Sequence, residues 1–289
     1  MFPNSLSPSR TSDYLQCPLL YRFRTIDKIP ESPSVAAIKG TLIHTVLENL
    51  FDAPAGARNI DLAKELFTTA VQELGQTSPI EVGTLLGDLS HSGEINVSVA
   101  HELYGSVSSV LDTYFVMEDP NRLEPFAREM AVNIEIDTDF TIRGFIDRVD
   151  KTPSGDVRVV DYKSGKAPSE RYANKAMFQM RFYALAWWRM TNTVPKLLQL
   201  MYLGNGKFLR YEPDHEDLLS TERRLLAIRN AISQSAEAFS FPPTPSRLCD
   251  WCSFRDLCPA FGGTPPPMPP RELWTSGSTL VEDALKILE

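Results

Sequence analysis

Long apolar runs are missing from this sequence. No stretch of its 289 residues approaches the ~20 consecutive apolar residues that a membrane-spanning helix needs. Met1–Arg10 lacks a basic start followed by an apolar core, so no secretory signal is read there. A cytoplasmic protein with no membrane partner is the expectation. Cysteine is scarce, at four residues. That is too few for a disulfide scaffold at this length, and in a reducing compartment clustered cysteines more often hold metal. A G-x4-G-K-[ST] phosphate loop is also absent. Gly165-Lys166 is followed by Ala167, and Val160 stands where the first glycine belongs. A helicase motor would therefore come from a partner. There is no internal repeat.

What is present is ordinary for a globular chain, with 43% hydrophobic and 23% charged residues. The length fits one large domain or two small ones. The net charge of −8 argues against a polyanionic partner until its distribution is examined. Residues 52–140 hold 16 acids and 4 bases, whereas residues 141–190 hold 10 bases and 5 acids. The second segment presents a local basic field, which is what a polyanion within a Debye length of ~10 Å would feel.

That basic segment contains the stretch around which the chain is organised. Residues 141–163 read as a β-hairpin, with Thr152-Pro-Ser-Gly155 as turn chemistry between two β-rich arms. Asp147 lies near the end of the first arm. Asp161 and Lys163 lie in the second, two residues apart, and so face the same way. Antiparallel pairing can bring Asp147 to the same place. Two carboxylates and an amine at one sheet edge suit a hard divalent cation. Such an ion activates water and neutralises charge on a phosphodiester. Lys163 can then orient or deprotonate the water, or stabilise the phosphorane. The competing reading is a solvated surface hairpin.

Around the hairpin, Ser7 or Ser9 can cap a first helix, with Pro8 in its first turn, and Cys17-Pro18 ends it. Arg22 and Arg24 follow, either as a solvated face or as a phosphate-contacting edge. Residues 34–52 form an amphipathic helix with Ile43, Val46, Leu47, Leu50 and Phe51 on one stripe. His44 borders that stripe, either as a structural residue or as an extra metal ligand. Residues 61–75 and 97–115 read as helices of an acidic insertion over one side of the core, and 75–93 as a loop. Residues 128–136 alternate as a strand, with Glu129 either at the site or at a solvated end. Residues 169–190 form a helix on which Gln179 and Tyr183 share a face. Residues 197–203 and 207–211 are strands, and 214–239 is a further helix.

Near the end, Cys249, Cys252 and Cys258 give C-x2-C-x5-C, a metal signal one thiol short, and Cys17 is the other cysteine in the chain. Four thiolates suit a [4Fe–4S] cluster or a structural zinc. Joining Cys17 to residues 249–258 would staple residues 5–24 to 242–261. Residues 262–270 are a Pro-rich linker, and 279–288 a short terminal helix, with disorder or docking both open for the tail.

Taken in order, SPSRTSDYLQCP, GTLIH, GFIDRVD, VVDYKSGK, QMRFY and the three late cysteines resemble the RecB-like branch of the PD-(D/E)XK nuclease superfamily in its small iron–sulfur form. The AddB C-terminal nuclease and the CRISPR-associated RecB-like exonucleases are similar. The resemblance spans residues 5–261 and implies a single α/β domain over 1–261, with a mixed sheet between helices and a helical insertion at 52–127. It implies that His44, Asp147 and Asp161 bind Mg²⁺ or Mn²⁺ with the Tyr162 carbonyl. It makes Lys163 the catalytic lysine, gives Gln179 and Tyr183 the task of positioning the strand, and makes Cys17, Cys249, Cys252 and Cys258 hold [4Fe–4S]. The implied activity is a deoxyribonuclease, an exonuclease on single-stranded DNA ends in repair or recombination, with a helicase or recombination partner. Two other readings are a non-catalytic DNA-binding subunit and a cluster-based redox or metal sensor.

Overall fold

The computed structural model describes residues 4–32, 34–86 and 97–274, with the backbone alone at 97 and 170–175. Its centre is a six-stranded mixed sheet. A two-residue strand β1 (Ser5–Leu6) leads into helix α1 (Pro8–Gln16), which Ser7 caps by accepting from the Arg10 amide. Cys17 ends that helix in an extended conformation, and Pro18 begins the short helix α2 (Pro18–Tyr21). Next come α3 (Val35–Asn49), capped by Ser34, then α4 (Ile60–Thr77), α5 (Pro79–Leu86) and α6 (Val97–Met117). The remaining strands are β2 (Ala127–Asp137), β3 (Phe140–Lys151), β4 (Val157–Lys163), β5 (Leu197–Tyr202) and β6 (Lys207–Tyr211). Helix α7 (Glu170–Thr191) joins β4 to β5, and α8 (His215–Glu237) follows β6.

β3 is the hub of the sheet. One edge pairs antiparallel with β2 over almost its whole length. The other edge is shared, because β1 pairs in parallel with Thr141 and Ile142 while β4 pairs antiparallel with residues 148–151. The edge therefore forks between residues 142 and 148. β5 continues in parallel from β4, as the long α7 crossover requires, and β6 closes the sheet through a tight hairpin. In the β3–β4 turn Gly155 has φ +94°, a conformation that costs glycine little.

The two faces of the sheet are covered differently. Ile142, Ile146, Val149, Val157, Val159, Leu198 and Leu200 pack with the apolar sides of α7 and α8. Val160, Tyr162, Met201 and Leu203 on the opposite face pack with α3, α4, α5 and α6. The acidic 52–127 segment thus roofs the β4–β5 half of that face. Among the described residues, no helix is long and apolar enough to cross a membrane.

Two local expectations need correction. The 75–93 stretch holds a helix, α5, where a loop was expected. Pro79 opens it and its apolar residues bury Leu85 and Leu86, while residues 87–93 lie outside the described set. Arg22 is neither solvated nor on a phosphate-contacting edge. It is buried, pairs with Asp27 at 3.0 Å and donates to the Pro266 carbonyl. Arg24 does lie exposed, as a solvated face would, and pairs with Asp13 at 2.6 Å and Glu31 at 2.7 Å. Just past the Pro-rich stretch, Arg271 donates to the Ala236 carbonyl at 3.1 Å. Trp274 is 1% exposed in the main core, and its indole donates to the Pro269 carbonyl at 2.7 Å. The helix expected at 279–288 lies outside the described residues.

Candidate active site

The fork in β3 concentrates the polar chemistry. Asp147 is the first β3 residue beyond the ladder with β4, one step past the Arg148–Val160 pair. Its Oδ2 accepts the Tyr162 backbone N–H at 2.7 Å, so it fills the gap the departing strand leaves. From above, α3 brings His44, whose Nδ1 lies 3.3 Å from the same Oδ2. From the side comes Glu129. By register it stands opposite Asp147, yet it is skipped in the β2–β3 ladder and has φ +40°. A left-handed glutamate in a strand costs about 1–3 kcal/mol and calls for a compensating role. Ligand atoms of His44, Glu129 and Asp147 lie within 4.8 Å of one another.

Asp161 and Lys163 form a second, adjoining group. Asp161 is 1% exposed. Lys163 Nζ is 2.6 Å from its Oδ2, and Gln179 Nε2 donates to its Oδ1 at 2.8 Å. Lys163 also donates to Gln179 Oε1 at 3.0 Å, and Gln179 donates to the Tyr183 hydroxyl at 3.5 Å. The i, i+4 spacing of Gln179 and Tyr183 on α7 turns both toward the acid. Every residue expected at the site therefore converges on one end of the sheet. The grouping differs in detail: Glu129 joins His44 and Asp147, while Asp161 is held by the lysine and glutamine.

The electrostatics couple the two groups. Burial, reinforced by the Asp147 charge, pushes the Asp161 carboxyl up to about 6, against the opposing pull of Lys163. Burial and then Asp147 push Glu129 up to about 7. For His44, burial favours the neutral ring, but the hydrogen bond and charge of Asp147, aided by Asp161, outweigh it and raise the pKa. Burial also raises the Tyr183 phenol. Crowded carboxylates that resist ionisation together become favourable partners once a divalent cation is added.

Two supporting devices were not anticipated from the sequence. Arg148, 1% exposed, lies beneath Tyr162 and donates to its hydroxyl. It also meets Glu118 at 3.0 Å and Asp150 at 3.0 Å. This buried network fixes the strand residue between Asp161 and Lys163, and its signal was an arginine between two acids in Asp147–Asp150. The second is Gly144. A Cβ there would stand 3.1 Å from Tyr183 Cε1, so glycine lets the tyrosine ring lie against β3.

At the end of α1 the four thiols face one pocket, although no three of their sulfurs lie within 4.8 Å of one another. Cys17, Cys249, Cys252 and Cys258 line one pocket and form no disulfide. Phe23, Phe254, Leu19 and Leu20 form its apolar backing, against which Cys17, Cys252 and Cys258 pack. The Thr244 and Ser246 amides point at Cys17 and Cys249 sulfurs, at 3.4 and 3.3 Å. Burial raises the Cys252 thiol, and the other three thiols add to that. A four-thiol donor set, amides aimed at sulfur and an apolar wall fit a thiolate-bound metal group.

Comparison with known proteins gives the chain a family. A family model described as the PD-(D/E)XK nuclease superfamily matches residues 5–259. The Gene 69 protein of Mycobacterium phage L5 is 28% identical over 288 residues, covering 88% of this chain and 96% of that protein. The Gene 69 protein of Mycobacterium phage D29 is 25% identical over 272 residues, with the same coverage. A crystal structure from Eubacterium rectale named "Putative exonuclease" is similar in fold, with a TM-score of 0.53 at 9% identity over 86% of this chain and 87% of that one.

Proposed function

This chain belongs to the PD-(D/E)XK nuclease superfamily, and from that premise we propose that it is a metal-dependent exonuclease acting on single-stranded DNA ends. The observation that carries the proposal is the bond to Asp147 from the N–H of Tyr162, the residue next to Asp161 in the chain, with Lys163 2.6 Å from Asp161. His44, Glu129, Asp147 and Asp161, with the Tyr162 carbonyl, are the residues that would hold Mg²⁺ or Mn²⁺. Such an ion supplies a more acidic water and a counter-charge for the phosphoryl oxygens.

The chain's own groups divide the remaining work. Lys163 is aimed by two acceptors, Asp161 and Gln179. Held there, its ammonium can serve the attacking water or a phosphoryl oxygen, while Asp161 would be among the ligands of the ion. Gln179 keeps Lys163 and Asp161 in register through its two amide ends. Tyr183, resting on Gly144, offers its hydroxyl beside that amide for a phosphate of the bound strand. Cys17, Cys249, Cys252 and Cys258 are assigned a [4Fe–4S] cluster, with zinc as the alternative, which ties α1 to the C-terminal segment.

Strand ends arise in repair and recombination, which is the proposed setting. A helicase or recombination protein is the proposed partner in that setting. The test is a comparison of linear and covalently closed single-stranded DNA with Mg²⁺ or Mn²⁺. Degradation confined to linear molecules supports an exonuclease. Equal loss of circles assigns an endonuclease instead.

A further inference from the structure

Among the described residues, the sheet face that carries His44 packs with helices over its β4–β5 half. On its β2–β3 half Asn133 and Glu135 are exposed, and an aromatic ring stands among them. Ile142 and Ile146 pack with α7, and Gly144 faces Tyr183 of the same helix. Strand alternation therefore turns Arg143 and Phe145 to the opposite face. Phe145 is 48% exposed, although Ile142 and Ile146 on the same strand are wholly buried. Across the ladder it meets Ala131, and Arg143 meets Asn133. The small partner leaves one side of the ring open.

A lone exposed apolar residue is normally uninformative. This one sits in the interior of the hub strand, two residues before Asp147 and on the edge that neither β1 nor β4 covers. Two strand residues span about 6.7 Å, comparable to the reach of one extended nucleotide. A strand whose scissile phosphate lies at Asp147 would lay its neighbouring base over the ring.

We propose that Phe145 is a base-stacking residue that seats single-stranded substrate beside the cation site and selects unpaired over paired ends. This rests on the nuclease reading above. A ring accepts any base by its flat face, so the seat is sequence-tolerant. A base still paired in a duplex does not offer that face. Arg143, in the same row, supplies positive charge along the path of the backbone.

The test measures binding of a fluorescent single-stranded oligonucleotide by anisotropy, with Lys163→Ala in the background to block cleavage. Phe145→Ala should weaken binding roughly ten- to a hundredfold, and Phe145→Tyr should restore it. In otherwise wild-type protein, Phe145→Ala should raise KM for single strands with kcat held, and leave blunt duplex binding unchanged. Binding by Phe145→Ala within about twofold of its Lys163→Ala parent overturns the stacking role while leaving the nuclease reading intact. Wild-type protein that neither binds nor cuts any strand overturns both.

Discussion

The backbone N–H of Tyr162 donates to Asp147 at 2.7 Å, joining the two arms of the hairpin just where their ladder ends. This bond places the carboxylate from β3 beside Asp161 and Lys163 of β4. It leaves Asp147 Oδ1 unconstrained by that contact and available to an ion.

Glu129 is expected to be a genuine ligand. Glu129→Gln keeps the shape and removes the charge, and should weaken Mn²⁺ binding about tenfold or more, since ligand charge sets divalent-cation affinity. Calorimetric titration of the wild type and this variant checks it. Because the strained backbone remains and a half-buried charge beside Asp147 is removed, the metal-free variant should be as stable as the wild type or more so.

Metal linkage should depend on pH in a defined direction. Glu129 is raised from 4.5 to about 7, and Asp161 from 3.8 to about 6, in the folded protein. For carboxyls raised in this way, the folded state binds protons more tightly than the unfolded state. Their contribution to stability is full below the unfolded values and is lost as pH rises through the folded ones. A divalent cation replaces those protons. The melting-temperature gain from added Mn²⁺ should therefore be small near about pH 5 and grow toward about pH 8. Thermal melts with and without Mn²⁺ across that range test this, and a gain independent of pH would contradict the coupling.

Gly144→Ala should act through Tyr183. The added methyl would stand 3.1 Å from the ring, so the ring must shift by a few tenths of an ångström or more. Small displacements of positioning groups can cost up to about a hundredfold in rate. A fall in kcat with little change in melting temperature is expected, and steady-state kinetics on one oligonucleotide reads it.

Cys252→Ser should remove visible absorbance from protein purified without oxygen, if the four thiols hold iron. It should also destabilise the chain by about 2–4 kcal/mol, the scale on which closing a long loop acts. Denaturant melts with parallel iron and zinc analysis distinguish the two metals.

Much of this site was legible because strand and helix periods are strict. Asp161 and Lys163 share a direction by the two-residue repeat, and Gln179 and Tyr183 by the four-residue repeat. The first helix cap was equally local, and of the two serines offered for it Ser7 takes the place. What could not be read depends on where strands meet. Glu129 enters the site because β2 pairs with β3 at one register, with a backbone twist at a single residue. Arg148 is an ordinary surface candidate by pattern, and becomes buried only because Glu118, from the end of α6, arrives to pair with it. Helix α5 was hidden because its glycine and threonine content resembles a loop, while its apolar spacing matters only once α4 and α6 are there to receive it.

The most direct test of the central claim is cleavage of end-labelled single-stranded DNA with Mn²⁺ by wild type and by Lys163→Ala. Removing a positioned proton-transfer group should lower the rate by about 10²–10⁴-fold, while calorimetry shows the variant still binding Mn²⁺. Equal cleavage by both proteins, or cleavage by the wild type that persists in excess chelator, would contradict the account.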